Sequence, residues 1–279
     1  GVFGMRMVEN AERCGANVFT VNNPWGEQTD LNAVEAVLQA NPDIQALAFV
    51  HAETSTGVRT EAKLLCELAK QYDCLALVDA VTSLGASALD VDGWNIDAIY
   101  SGSQKCLSCV PGTSQVSFSD RAVHVIQNRK TKVQSWFLDM NLIVGYWGQG
   151  TKRAYHHTAP VNSMYAMYEA LLILREEGLE NAWARHASGH AKLAQGLESL
   201  GLELTVDSAY RLPQLNVVKI PEGIDDASVR KQLLQDYNLE IGAGLGEHAG
   251  KVWRIGLMGY ACKPRNIDHC LAALKEVLK

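Results

Sequence analysis

The stretches CLALVDAV (74–81) and NIDAIYSGS (95–103) decide how this chain folds. Each is an apolar run too short for a helix of ordinary length, and each closes on polar residues. Runs that are apolar on both faces belong to a largely parallel sheet covered by helices on either side. The neighbouring sequence supports that arrangement. IQALAFVHAE (44–53) and SQVSFSD (114–120) read as two more strands, and ANVFTV (16–21) as another near the start. Between them lie amphipathic segments: LNAVEAVLQA, with Thr29 or Asp30 as its cap, and EAKLLCELAKQY, with Thr60 as its cap.

Around Tyr168 the pattern changes. MYAMYEALLILREEG and LENAWARHASGHAKLAQGLESLG read as two long helices. LELTV, LNVVKI, LEIGAG and KVWRIGLMG then read as strands around the helix DDASVRKQLLQDY, before a closing helix NIDHCLAALKEVLK. The expected organisation is α/β, with a large domain over residues 1–177 and a smaller α+β domain over 178–279.

Bulk properties narrow the class. A formal charge of −6, without a basic block, argues against a nucleic-acid partner. No apolar run approaches the ~20 residues that span a bilayer. Seven scattered cysteines read as reduced thiols of a reducing, cytoplasmic compartment, and Cys106-x-x-Cys109 as packing thiols. The chain opens at Gly1 directly into the helical rhythm GVFGMRMVENAER, which reads as a piece of something longer.

Three strand ends point to one place. In open α/β sheets, ligands bind beyond the carboxyl ends of the strands. Here those ends read HAETSTG (51–57), DAVTSLG (79–85) and SGSQK (101–105). Asp79 closes one apolar run, where a carboxylate is largely dehydrated and needs a compensating partner. Its structural alternative is a cap for the segment that follows. Lys105 closes the next, where a lysine is either a solvated loop residue or, in a partly desolvated pocket, a usable amine. An amine and a carboxylate at neighbouring strand ends suit pyridoxal phosphate. The amine bonds the aldehyde and the carboxylate keeps the ring nitrogen protonated. Arg254 interrupts the apolar strand VWRIGLM, and its planar fork matches a carboxylate through two parallel hydrogen bonds.

These motifs carry a resemblance. HAETSTGV, LVDAVTSLGA, SGSQKCL followed by PGTSQVSFS, YHHTAPVN and KVWRIGLMG together resemble the class V aminotransferases. They are most similar to the alanine–glyoxylate and serine–pyruvate aminotransferase group, in order along essentially the whole chain. The resemblance implies a fold-type I pyridoxal-phosphate transferase that exchanges an amino group between a small L-amino acid (alanine or serine) and a 2-oxo acid (glyoxylate or pyruvate). It implies that Lys105 bonds the cofactor, Asp79 meets the ring nitrogen, and Val81 lies against one ring face. Phe3 stands where the group carries the aromatic that stacks on the other face. Thr54 falls near the ring oxygen and Gln104 at the phosphate. Tyr155 and Thr158 match residues that reach the phosphate of a neighbouring subunit, which implies a homodimer. Arg254 matches the clamp for the substrate carboxylate. Val110 departs from the group, which has a proline there. The resemblance also places a glycine/serine phosphate loop and an N-terminal arm ahead of GVFG.

Four other readings compete. A cysteine desulfurase or lyase on the same fold needs a histidine before the lysine, where this chain has Gln104, and a mobile cysteine. A dinucleotide enzyme is argued against by GAGLGEHAG (242–250), which has Glu247 where the third glycine of the fingerprint belongs. A non-catalytic binding or assembly homologue is argued against by the filled catalytic positions. His156-His157 as a metal site is argued against because neighbours on an extended segment point oppositely.

Overall fold

The computed structural model describes residues 1–147 and 154–279. In chain order the helices are α1 (Val2–Arg13), α2 (Leu31–Ala40), α3 (Ala62–Gln71), α4 (Asp120–Gln127), α5 (Met140–Trp147), α6 (Val161–Glu177), α7 (Leu179–Ser199), α8 (Asp226–Tyr237) and α9 (Pro264–Val277). The strands are β1 (Ala46–Val50), β2 (Ala52–Glu53), β3 (Val58–Arg59), β4 (Leu75–Asp79), β5 (Ala98–Gly102), β6 (Ser114–Phe118), β7 (Leu215–Lys219), β8 (Gly242–Ala243) and β9 (Val252–Gly256).

The two decisive runs are adjacent strands. The first sheet has the order β1-β4-β5-β6. β4 runs parallel to both β1 and β5, while β6 closes the edge antiparallel. Val34, Leu38, Leu65, Cys66, Ala69, Ala76, Val78 and Ile99 form one buried cluster, so α2 and α3 cover this sheet with their apolar stripes. Asp30 does cap α2, accepting from the amides of Asn32 and Ala33. Thr60 does not cap α3. Glu61 stands at the cap position without a side-chain hydrogen bond, and the Thr60 carbonyl instead accepts from Ala62.

Two expected strands are absent as such. Residues 16–21 run without a ladder partner among the described residues, although their composition suits a strand. LELTV contributes only the isolated bridge Leu204↔Val218. β propensity describes fit to a pleated, half-buried surface, and without a neighbour to pair with it produces no strand.

The second sheet has the order β7-β9-β8 and is antiparallel throughout. Its core is a separate cluster that includes Leu193, Leu197, Val218, Leu233, Trp253, Ile267 and Leu274, drawn from α7, α8, α9 and the strands. Between the two sheets lies the short hairpin β2–β3, in which Glu53 faces Val58 and the loop Thr54–Gly57 turns the chain. Gln214 crosses from the second sheet to the first, donating to the Thr82 carbonyl at 3.0 Å and accepting from Ser87.

Candidate functional site

Parallel pairing sets the register that builds the site. Asp79 pairs with Val50 on one side and with Tyr100 on the other, so β1 and β4 end at the same level and β5 runs two residues further, to Gly102. The chain then turns into His51–Gly57 after β1, Ala80–Gly85 after β4 and Ser103–Ser108 after β5.

Asp79 is buried, 8% exposed, and both carboxylate oxygens are held. Oδ1 accepts the Val81 amide at 2.8 Å, and Oδ2 accepts the Tyr100 hydroxyl at 2.8 Å. Burial pushes its carboxyl above the ordinary value. The two hydrogen bonds oppose that rise by favouring the charged form, and the nearby Glu53 charge adds to it.

Lys105 is half-buried, and its ammonium makes no hydrogen bond or ion pair among the described residues. Its backbone is anchored on both sides of the turn. The Cys106 thiol donates to the Thr82 carbonyl at 3.1 Å, and Ser108 returns a hydrogen bond to the Lys105 carbonyl at 3.0 Å. The turn after β9 packs against it from the second sheet: the Tyr260 amide donates to Ser108 Oγ at 2.7 Å. Gly259, at φ 52, allows this approach. A Cβ there would lie 2.6 Å from the Cys106 carbonyl oxygen and would also strike Ser108 Oγ. Gln104 folds back over Gly102, where a Cβ would stand 2.7 Å from its Oε1.

Arg254 reaches the first sheet from β9. Its Nε donates to the Ala243 carbonyl at 2.7 Å and its Nη1 to the Thr54 carbonyl at 3.2 Å. Burial draws its proton affinity down, and the negative charge of Glu53 opposes that.

Glu53 carries no role in the sequence reading although it lies inside HAETSTG. It is buried, 6% exposed. Oε2 accepts the Phe3 and Gly4 amides at 3.1 and 3.0 Å, and Oε1 accepts the Ser55 amide and hydroxyl at 3.0 and 2.7 Å. A carboxylate thus meets the positive end of α1 and holds Phe3 beside the hairpin. Only the tertiary approach of α1 to the hairpin reveals this, because the two partners lie 50 residues apart.

Phe3, Thr54, Asp79, Val81, Gln104, Lys105 and Arg254 therefore lie on the strand ends and the segments bonded to them. Tyr155 and Thr158 do not join them within the chain. Tyr155 is 74% exposed, and its hydroxyl lies 2.7 Å from the exposed Thr158 Oγ1.

The neighbouring histidines correct an expectation. Their rings meet, with Nδ1 atoms 2.8 Å apart, because His156 is drawn under Trp136, with ring centroids 4.2 Å apart. Among the described residues there is no group of three residues able to hold a metal ion. Cys262, which follows Arg254 in the chain, is buried, and burial raises its thiol pKa, so it does not supply the mobile cysteine that a desulfurase needs. All seven cysteines are free.

Comparison with known proteins gives the family and the fold. The family model described as aminotransferase class-V matches residues 5–265. The chain is 43% identical to an alanine–glyoxylate aminotransferase of Callithrix jacchus, over 100% of this chain and 68% of that protein. It is 37% identical to an (S)-ureidoglycine–glyoxylate transaminase of Bacillus subtilis, over 100% of this chain and 70% of that protein. The solved alanine–glyoxylate aminotransferase of Nostoc superposes with a TM-score of 0.95 at 47% identity, covering 99% of this chain and 73% of that one. A cysteine desulfurase of Thermococcus onnurineus, at 14% identity and a TM-score of 0.75, shares the fold alone.

Proposed function

This chain belongs to the class-V aminotransferase family, and on that premise we propose that it moves an amino group from alanine or serine to glyoxylate or pyruvate, with pyridoxal phosphate as resident cofactor. It is an aminotransferase of the α/β fold-type I class. The observation that carries the finer reading is the pairing of an unengaged lysine with a dehydrated carboxylate at the ends of neighbouring strands, with a half-buried arginine, Arg254, bonded to the hairpin beside them.

The donor set fits that cofactor. Lys105 has an ammonium with no partner among the described residues, Asp79 is an acceptor held at the strand end, and Gln104 is exposed with its amide uncommitted among those residues. When bound, pyridoxal phosphate supplies an aldehyde that takes up an amino group and a ring that accepts the electron pair left on the substrate α-carbon. Lys105 would hold the aldehyde through its Nζ, and the same amine would serve as the base and acid that moves the substrate α-proton. Asp79 would keep the ring nitrogen protonated, Val81 and Phe3 would confine the ring, and Thr54 and Gln104 would supply polar contacts to its oxygen and its phosphate. Arg254 binds the carboxylate shared by both substrates, which is why one site serves both half-reactions.

The reading includes a homodimer in which Tyr155 and Thr158 serve the partner's phosphate. It is supported by the exposed apolar side chains of α6, which follows them in the chain: Tyr165 is 71% and Tyr168 63% exposed, with Met164, Leu171 and Ile173 also open. The division at residue 178 rests on the two separate buried clusters, and the cytoplasmic assignment on the free thiols. Among the described residues, no helix is long and apolar enough to cross a membrane.

The test is an absorbance spectrum of the full-length protein with pyridoxal phosphate, before and after L-alanine or L-serine. The visible band of lysine-bound cofactor should fall on adding donor and return on adding glyoxylate. A protein with no such band would leave Lys105 without its role.

A further inference from the structure

Tyr100 stands on β5 directly across from Asp79 on β4. Paired positions on neighbouring strands project to the same face, and the Tyr100 hydroxyl donates to Asp79 Oδ2 at 2.8 Å. At 38% exposed, the ring belongs to none of the three buried clusters, so packing does not require a tyrosine here. The feature particular to this residue is the phenol–carboxylate hydrogen bond.

The groups acting on Asp79 can be named. The Val81 amide and the Tyr100 hydroxyl donate to it, and Glu53 on β2 acts on it with a like charge. No cationic side chain among the described residues balances it. Burial and Glu53 therefore push toward the neutral acid, and two donors hold the ionised form. One donor belongs to the backbone and cannot be removed by substitution. The other is Tyr100.

We propose that Tyr100 is a positioning residue that keeps the Asp79 carboxylate ionised and aimed at the ring nitrogen of the bound cofactor, an inference that rests on the reading of Asp79 as that nitrogen's partner. A neutral carboxylic acid opposite a protonated ring nitrogen forms no ion pair. Loss of the phenol should thus weaken cofactor binding at the acid end of the pH range while leaving it near normal at the alkaline end. A hydrogen bond to an ionised group is worth on the order of tenfold in such an equilibrium, or about one pH unit.

The experiment titrates the full-length apoprotein with pyridoxal phosphate across pH and reads the affinity from the visible band. Wild type is compared with Tyr100→Phe, with Asp79→Asn and with the double variant. The acid limb of affinity should move up by about one pH unit in Tyr100→Phe. The same substitution made on Asp79→Asn should produce no further displacement. Superimposable limbs in wild type and Tyr100→Phe, or an equal displacement in the Asp79→Asn background, would overturn the proposal. Should Tyr100→Phe fail to fold, Tyr100→Leu gives the same comparison at this partly open position. Failure of the underlying reading is a distinct result: Asp79→Asn would then bind the cofactor like wild type at every pH.

Discussion

Arg254 and Thr54 are separated by 200 residues, and the guanidinium of the first donates from Nη1 to the carbonyl oxygen of the second over 3.2 Å. With Nε committed to Ala243, the arginine is held at two points. Its Nη2 makes no intrachain hydrogen bond among the described residues and remains for a ligand. The bond also ties the second sheet to the hairpin beside Asp79.

A lysine cannot reproduce that fork. Arg254→Lys should raise the KM of both amino-acid and oxo-acid substrates by about 10- to 100-fold, the value of one or two charged hydrogen bonds, with a smaller change in kcat. Steady-state kinetics with each substrate varied in turn checks this. KM values within twofold of wild type would remove Arg254 from carboxylate recognition.

Lys105→Ala should abolish both the visible band of lysine-bound cofactor and turnover. Asp79→Asn should keep the fold and slow the proton transfer by about a hundredfold or more, on the scale of general acid–base effects. Single-turnover absorbance after mixing with L-alanine measures both. Substantial turnover in the first variant, or a near-normal rate in the second, contradicts the assigned roles.

Glu53 receives donors on both oxygens, from Phe3, Gly4 and Ser55. Glu53→Gln turns one oxygen into a donor facing donors. The expected loss of stability is about 1–3 kcal/mol, the cost of an unsatisfied buried group. Denaturant unfolding reads the loss, and faster amide exchange at Phe3 and Gly4 locates it. Unchanged stability and exchange would show that α1 does not depend on this carboxylate.

Burial, aided by the Arg59 charge, lowers the His51 pKa to about 4 from 6.5. Between these values the unfolded chain binds the proton and the folded one does not, so stability falls as pH drops. The contribution is fully present above 6.5 and is lost toward 4. The drop attributable to His51 is on the order of 3 kcal/mol. Unfolding free energies at pH 7 and pH 4.5 should differ less in His51→Phe than in wild type, and equal differences would contradict the sign or the residue. His186, His190 and His248 are also lowered by burial and act in the same direction in both proteins.

The local sequence determined the elements whose signals lie within one segment. Apolar runs at 74–81 and 95–103 became neighbouring parallel strands, Asp30 became a helix cap, and Asp79, Lys105 and Arg254 stood out as charges at the ends or in the midst of apolar strands. The motif order along the chain was enough to indicate the family. The tertiary structure decided whatever depends on a partner distant in the chain. Residues 16–21 have strand composition but no neighbour to pair with, so they form no ladder. Glu53 is one residue among seven in its motif until α1 brings two amides to it. Tyr100 looks like an apolar strand residue until parallel register sets its hydroxyl against Asp79. The physical reason is the same in each case. Propensity and periodicity act through neighbouring residues, whereas a ladder, a buried carboxylate and a phenol–carboxylate bond each require a group that only folding brings within hydrogen-bonding distance.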